Sequence, residues 1–402
     1  MFRLLSLSLP LSLACTSATP TNDTGLVDTQ DTSAVTGCRS TPQDPDRDRL
    51  VLVQTPYNND AQSSNTWRQL RLSTDGALQL LTESLELGRA PQGQVVFTPD
   101  ASLGFVAQDD GSIGIVSNQP DGPIEVANPA YRGDFYADSL TMDPSGEILW
   151  VLDTNWQENG GGIYRVDIDC SSPSLSGAER ILQSKNASKL LLLEATAERR
   201  EALVIARGFG SPDTQNDHEL LHVDLFQPDT PIRQAPIFAD PDAMHSDAVL
   251  FDAQRYLLVG DNAEFSQTPN RIAVVALQEE ANETVQILEN ILDPVGLIPS
   301  PWEDQLLVVS GYGDAIFTLR PTGDAQAPFS LGPEPSYTDG APQLPTASAS
   351  VQSGSLQGHV LVTENTGIRQ LQLGPNAALN DQGLVAIGES FEGIAGAIGI
   401  AP

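Results

Sequence analysis

The sequence predicts an all-β fold, a seven-bladed β-propeller, and three observations predict it. An apolar strand that ends in a polar residue recurs seven times, each copy is followed by a strand of alternating character, and one apolar segment at the C-terminus is left without a partner. Repeats of about 50 residues with four short strands each are typical of propeller blades. The predicted propeller spans residues 49–402, after a signal peptide (1–14) and a disordered tether (15–48).

The recurring apolar strand gives the repeat its period. Its copies, such as LVLVQ and LLVGD, end at intervals of between 45 and 54 residues. Such regular self-similarity indicates one structural unit per copy. The residues that end the seven strands are Gln54, Gln108, Asp153, Arg207, Asp261, Ser310 and Glu364.

The strand after each polar loop alternates between apolar and polar residues, as in Ile163–Ile168 and Leu220–Leu225. Alternation with a period of two marks a half-buried strand. Further short strands flank each pair, for example Val95–Thr98 before one pair and Leu384–Ile387 after another. Four strands per repeat are therefore expected.

The two ends of the propeller region predict how the ring closes. The polar run Cys38–Arg49 precedes the first repeat, which therefore lacks an innermost strand, whereas Ile394–Ile400 follows the seventh repeat without partners. We expect the C-terminal segment to insert as the innermost strand of the first blade. Closure of this kind removes free sheet edges, which otherwise promote aggregation.

Two adjacent segments carry a family resemblance. Met142–Val151 (MDPSGEILWV) followed by Gly162–Asp167 (GIYRVD) resembles the YVTN and NHL-type propeller repeats and the lactonase-like propellers. The resemblance implies the fold over roughly residues 49–402. It does not imply one function, because this architecture hosts both enzymes and binding platforms.

The N-terminus has the order of a targeting segment, with Arg3, the apolar stretch Leu4–Leu13 and then Ala14-Cys15. The apolar stretch is too short to span a bilayer. The pattern resembles a bacterial lipoprotein signal, although Ser12 stands where that family prefers leucine. The resemblance implies acylation of Cys15, and simple secretory cleavage is the alternative. Either outcome places the protein in the bacterial cell envelope, as an outer-membrane lipoprotein or as a periplasmic or secreted protein.

Charge restricts the possible partners. The chain has 53 acidic and 20 basic residues and a formal net charge of -33. Binding of nucleic acid needs clustered lysine and arginine, so a nucleic-acid partner is excluded. Anionic surfaces are repelled. We expect a monomer that contacts the membrane only through its N-terminal anchor.

Cysteine usage predicts one disulfide bond. With Cys15 consumed by lipid, Cys38 and Cys170 remain, and they could pair in an oxidising compartment. Such a bond would hold the end of the tether against the propeller. The alternative is two free thiols.

His218–His222 (HELLH) matches the H-E-x-x-H zinc motif, in which a helix brings both histidines to one metal ion. The repeat register instead aligns this segment with the strand Tyr164–Ile168. On a strand the two histidines stand about 13 Å apart, too far to share a metal ion. We therefore interpret HELLH as strand.

The segment His245–Asp247 places a histidine, a serine and an aspartate together. Neighbours in an extended segment point to opposite faces, so these three residues cannot form a catalytic relay.

Asp44, Asp46 and Asp48 have the spacing of a calcium loop. However, Arg49 follows where a turn glycine is expected, and Thr55 stands in place of the closing glutamate. We interpret the segment as a solvated linker. We expect no cofactor, with binding of Ca²⁺ as the alternative.

The polar loops that follow the apolar strands all emerge on one face, at the mouth of the central channel. Several are longer than a turn requires, which favours a shared binding face, although Asp and Asn are also common turn residues. The ligand-face candidates are Asp153, Asn155, Trp156, Asp261, Asn262, Glu364 and Asn365.

Two functions are compatible with such a face. The first is a non-enzymatic scaffold that binds a protein or glycan partner. The second, drawn from the resemblance, is a divalent-cation-dependent lactone hydrolase similar to the gluconolactonase-type propellers. No candidate matches a catalytic motif of that family residue by residue, so no residue is assigned a catalytic role.

Overall fold

A computed structural model shows that the propeller prediction is correct. Its strands form seven four-stranded antiparallel sheets, and no helix occurs among the described residues. Within the same residues there is accordingly no apolar helix that could cross a membrane. The structure describes residues 45–55, 66–87, 95–108, 111–119, 122–155, 160–196, 198–206, 219–229, 231–238, 243–262, 270–332, 337, 343–376, 379–388 and 397–402.

Each sheet is one blade. The strands are numbered in chain order along the sequence, and those of each blade are given from the innermost strand outwards. Blades 1 to 3 consist of β28 (Ala397–Ile400), β1 (Arg49–Gln54), β2 (Thr66–Leu72) and β3 (Leu78–Glu86); β4 (Val95–Phe97), β5 (Leu103–Ala107), β6 (Ser112–Gln119) and β7 (Gly122–Arg132); and β8 (Ala137–Met142), β9 (Ile148–Asp153), β10 (Gly162–Asp169) and β11 (Ser174–Leu182).

Blades 4 to 7 repeat this order. They consist of β12 (Ala187–Ala195), β13 (Arg200–Ala206), β14 (Leu220–Asp224) and β15 (Arg233–Ala235); β16 (His245–Phe251), β17 (Tyr256–Asp261), β18 (Arg271–Leu277) and β19 (Asn282–Glu289); β20 (Pro294–Pro299), β21 (Leu306–Ser310), β22 (Ala315–Pro321) and β23 (Phe329–Leu331); and β24 (Ser348–Ser350), β25 (His359–Thr363), β26 (Gly367–Gln372) and β27 (Asn380–Ala386).

The ring closes as the sequence predicts. Strand β28 pairs with β1 in antiparallel register, from Val51 opposite Ile400 to Gln54 opposite Ala397. The buried guanidinium of Arg49 links the segment that leads into β1 to the C-terminal segment, because it donates to the carbonyl of Ala401 at 3.1 Å and to those of Pro45 and Ser353 at 3.2 Å.

Hydrophobic cores lie between neighbouring blades. The second strand of each blade is covered on both faces by the adjacent blades, so β1 and β9 are buried along their whole length. This explains why these strands are continuous apolar runs, whereas the fourth strands, such as β11 and β19, are largely exposed or half-buried. Trp67 is fully buried in the core between blades 1 and 2, and Trp150 in the core between blades 3 and 4.

A buried ion pair also joins blades 3 and 4. The carboxylate of Asp143 is fully buried and accepts hydrogen bonds from Nε of Arg200 at 2.6 Å and from Nη2 at 3.1 Å. The indole of Trp150 donates to the same carboxylate at 3.2 Å. Both partners are therefore held in one geometry, with their hydrogen-bonding capacity used.

The two faces of the ring are distinguished by which strand ends lie on them. The mouth face is the face at which second strands end and third strands begin, and the tether face is the opposite one, where β1 begins at Arg49. Cys170 follows β10 on the tether face and is disulfide-bonded. Cys15 and Cys38 lie outside the described residues, so lipidation and the Cys38–Cys170 pairing stay predictions.

Candidate functional site

The polar residues that end the second strands are buried beneath the mouth face. Asp153, Asp261 and Glu364 are 2%, 0% and 3% exposed. Each lies in a different blade and forms hydrogen bonds with groups of its own blade. Among the described residues, no three His, Cys, Asp or Glu side chains come together as a set that could hold a metal ion.

Asp153 fixes the backbone that leads into its blade. One carboxylate oxygen accepts the backbone N–H of Tyr136, which precedes β8, at 3.1 Å and that of Asn155 at 2.8 Å. Burial raises the pKa of Asp153. These hydrogen bonds lower that pKa, but by less than burial raises it. Trp156, the next predicted residue of this loop, lies outside the described residues.

The equivalent residues of other blades make the same type of contact. Asp261 accepts the backbone N–H of Met244, which precedes β16, at 2.8 Å, and Nε of Arg271 at 2.9 Å. Ser310 donates to the carbonyl of Leu292, which precedes β20. Gln108 donates from Nε2 to the carbonyl of Leu87, in the connection that precedes β4, at 2.9 Å.

In blade 7 the residue that contacts the backbone ahead of the first strand is Thr363, and not the predicted Glu364. The hydroxyl of Thr363 accepts the backbone N–H groups of Thr346 at 3.0 Å and of Ala347 at 2.9 Å, just before β24. Glu364 instead pairs with Arg369, and Arg369 also reaches Asp381 at 2.7 Å. The end of the second strand is thus a structural clamp on the backbone ahead of the first strand.

Blade 1 is the exception. Gln54 occupies the same position and is fully buried, yet neither its amide nitrogen nor its amide oxygen has a hydrogen-bond partner among the described residues. Its innermost strand, β28, comes from the other end of the chain. Arg207, the seventh member of the set, lies outside the described residues.

The predicted asparagines are half-buried in the mouth loops. Asn262 donates to Asp293 at 3.2 Å, and Asn365 donates through its backbone N–H to the carbonyl of Gln343 at 3.0 Å. Asp293 was not identified by the sequence analysis. It is 5% exposed, also accepts the backbone N–H of Tyr312 at 3.3 Å, and has a pKa raised by burial. The Asp293-Pro294 dipeptide, a turn signal, could have revealed it.

A polar cavity of about 350 Å³ lies at the mouth of the central channel, lined by the innermost strands of six blades. Its only charged lining residues among those described are Lys189 and Asp247. Nζ of Lys189 lies 2.9 Å from Oδ1 of Asp247, and the other carboxylate oxygen accepts the backbone N–H of Leu297 at 2.8 Å. The ion pair therefore links blades 4, 5 and 6 beside the hydroxyls of Ser246 and Ser348.

The motifs set aside in the sequence analysis have structural roles. Leu220–Asp224 is strand β14, as predicted, and Nε2 of His222 lies 3.0 Å from Glu201; His218 lies outside the described residues. His245 packs against Phe238, with ring centroids 5.6 Å apart, while Ser246 bonds to the carbonyl of Pro294. No His-Ser-Asp relay forms at His245–Asp247.

The acidic segment before β1 contacts the propeller. Asp46 accepts the backbone N–H of Ser355 at 2.6 Å, and Asp48 accepts that of Thr74 at 2.9 Å. Asp44 lies outside the described residues. Two of the three aspartates therefore attach the entering chain to blades 7 and 1, rather than standing free in a solvated linker.

The mouth face also exposes apolar side chains that the sequence analysis did not identify. Among the described large hydrophobic side chains, the three most exposed are Tyr312 at 60%, Tyr136 at 56% and Leu292 at 47%. All three lie in loops of this face. The other exposed hydrophobic side chains range from 36% to 40% and lie on or beside outer strands.

Comparison with known proteins gives structural neighbours only. No family model matches the chain, and no curated protein matches it. A putative 6-phosphogluconolactonase from Bacteroides fragilis is 10% identical, with 90% of this chain and 100% of that chain covered and a TM-score of 0.57.

The periplasmic gluconolactonase of Pseudomonas aeruginosa is 14% identical, with 88% and 99% covered and a TM-score of 0.58. A functionally unknown protein from Desulfotomaculum acetoxidans is 14% identical, with 88% and 98% covered and a TM-score of 0.54. At such identities the likeness concerns the fold alone. The chain is a seven-bladed β-propeller whose fold is similar to that of the lactonase-like propellers.

Proposed function

We propose that this propeller is a binding module of the cell envelope that recognises a protein or glycan partner through its mouth face. The observation that carries the proposal is the exposure of Tyr136, Leu292 and Tyr312 on one face. Tyrosine is enriched at interfaces, because its ring offers a large apolar area and its hydroxyl a hydrogen bond.

The two tyrosines are held by buried carboxylates. Asp153 accepts the backbone N–H of Tyr136, and Asp293 accepts that of Tyr312. A loop fixed before binding loses less conformational entropy when a partner docks. In this proposal the predicted site residue Asp153 is thus a positioning residue, and the exposed aromatic rings make the contact.

The test is capture of a partner from envelope extracts by the immobilised mature chain. We expect the double variant Tyr136→Ser/Tyr312→Ser to release a partner that the natural chain retains. The matched control is Val126→Ser/Ile287→Ser, which removes two exposed hydrophobic side chains, 39% exposed each, from outer strands. A partner retained equally by both double variants would refute the proposal.

The alternative is a lactone hydrolase acting in the channel-mouth cavity. The observation that favours it is a polar cavity of about 350 Å³ in a fold shared with two proteins described as lactonases. The described residues do not fit a divalent cation there, because both oxygens of Asp247 are already bonded and no second carboxylate lines the cavity. Lys189 would be the group that polarises a lactone carbonyl.

Turnover of simple lactones, with and without calcium, tests this alternative. Loss of turnover in Lys189→Met together with normal partner capture would assign the cavity to catalysis. Absence of turnover in the natural chain under both conditions would eliminate the hydrolase.

A further inference from the structure

A groove on the tether face of blade 4 has the features of a second docking surface. It has a volume of about 780 Å³ and is formed by two turns, one between β12 and β13 and the other between β14 and β15. Its apolar part consists of Phe226, Pro228 and Ile232, and its rim includes Glu198 and Asp229. This surface is called the blade-4 groove below.

The floor of the blade-4 groove is preformed. The ring of Phe226 lies 5.2 Å from the guanidinium of Arg200, which the buried Asp143 holds in place. The backbone N–H of Phe226 donates to Asp224 at 3.1 Å. The N–H of Ile232 donates to the carbonyl of His222 at 2.8 Å. Little ordering is needed before a partner can bind, which favours recognition.

The charges of the rim are not balanced. Arg199 is the only cation among the described residues that line the groove, and it already pairs with Glu201. Arg200, whose guanidinium lies against the ring of Phe226, is paired with the buried Asp143. Glu198 and Asp229 are exposed and have no ion pair with any described residue. Beside them, Ile232 leaves 36% of its surface exposed. Two carboxylates that no described cation pairs with therefore line the same groove as an exposed aliphatic side chain.

We propose that the blade-4 groove binds a peptide segment of another protein in which a lysine or arginine neighbours an apolar residue. The cation would pair with Glu198 or Asp229, and the apolar side chain would cover Ile232 and Phe226. A second copy of this chain is disfavoured because each copy has a net charge of -33. An anionic lipid surface is disfavoured for the same reason. The inference concerns the face opposite to the one proposed above and does not depend on that proposal.

The test uses a short labelled peptide of alternating lysine and leucine, titrated with the full mature chain and followed by fluorescence anisotropy. We expect saturable binding of this peptide, and none of a glutamate–leucine counterpart. The double variant Glu198→Lys/Asp229→Lys should weaken binding about tenfold or more, because two attractive charges become repulsive.

The matched control is Glu279→Lys/Glu280→Lys. These residues are also exposed on the tether face, in the turn between β18 and β19, and the variant changes the net charge by the same amount. Its affinity should stay within about twofold of the natural chain. Ile232→Ser should weaken binding several-fold, whereas Ile287→Ser, on an outer strand, should not.

Three results would overturn the inference. The first is equal weakening by both charge-reversal variants, which would mean general attraction to an acidic protein. The second is full affinity in Glu198→Lys/Asp229→Lys with an unchanged melting temperature. The third is no saturable binding of the lysine–leucine peptide to the natural chain.

Discussion

The ion pair between Asp143 and Arg200 is expected to contribute strongly to the junction of blades 3 and 4. In Asp143→Asn, the Arg200 guanidinium, whose side chain is 8% exposed, loses its charged partner. Removal of one partner of a buried pair costs about 3–5 kcal/mol, because a buried charge is left uncompensated. With an unfolding entropy of roughly 2 cal/mol/K per residue, a domain of this size loses about 4–7 °C in melting temperature.

The measurement is urea denaturation and calorimetry of the single variants and of Asp143→Leu/Arg200→Met. Replacement of both partners by apolar residues leaves no buried charge, so the double variant should recover part of the loss. The recovery is incomplete because the buried indole of Trp150 loses its acceptor, which costs about 1–3 kcal/mol. The control is the exposed pair of Arg165 and Asp167, 3.0 Å apart, with side chains 40% and 51% exposed. There Asp167→Asn should cost less than about 1 kcal/mol. An equally small cost for Asp143→Asn, or a double variant worse than both singles, would refute the reasoning.

Two further predictions concern blade 1, where the ring closes, and a third concerns the dependence of stability on pH. Gln54→Leu should raise the free energy of unfolding in urea by about 1–2 kcal/mol, because it removes a buried amide that no described residue bonds; a lower stability would show that this amide is bonded in solution. Arg49→Met should accelerate hydrogen exchange in β28 and cost about 2–3 kcal/mol, since three carbonyls lose a buried donor, whereas Arg47→Met, at an exposed bond, should leave that exchange unchanged. Burial, together with a hydrogen bond to Asp381, raises the pKa of Tyr337 from 10.0 to about 12. Because the folded-state pKa is the higher one, the stabilising contribution is fully present below pH 10.0 and is lost as the pH rises towards about 12; this loss should be absent in Tyr337→Phe.

The strand pairs and the closure of the ring could be predicted because they depend on local patterns. An apolar run followed by an alternating run is visible within one repeat, and Ile394–Ile400 is conspicuous as an apolar segment without neighbours. The same register predicted a strand at Leu220–Leu225, which is observed as Leu220–Asp224, although a zinc-binding helix motif overlaps its first three residues.

The contacts between blades could not be predicted in this way. Asp143 and Arg200 are 57 residues apart, and Lys189 and Asp247 are 58 apart. No periodic pattern within a repeat indicates which charged residues meet across a blade boundary. However, both separations are close to one repeat. Oppositely charged residues at that distance are therefore the signal to search for in a chain of this type.

The second-strand ends show how a repeated scaffold can hold different side chains at equivalent positions. The predicted polar residues recur because the position clamps the backbone ahead of the first strand, as Asp153, Asp261 and Ser310 do in three different blades. A clamp fixes the backbone but leaves the side chain beside it free to vary. In blade 3 that side chain is the exposed ring of Tyr136, and in blade 6 it is Leu292. The recurring polar residues thus define the scaffold. Under the binding function proposed here, recognition at the mouth face depends on the residues that they position.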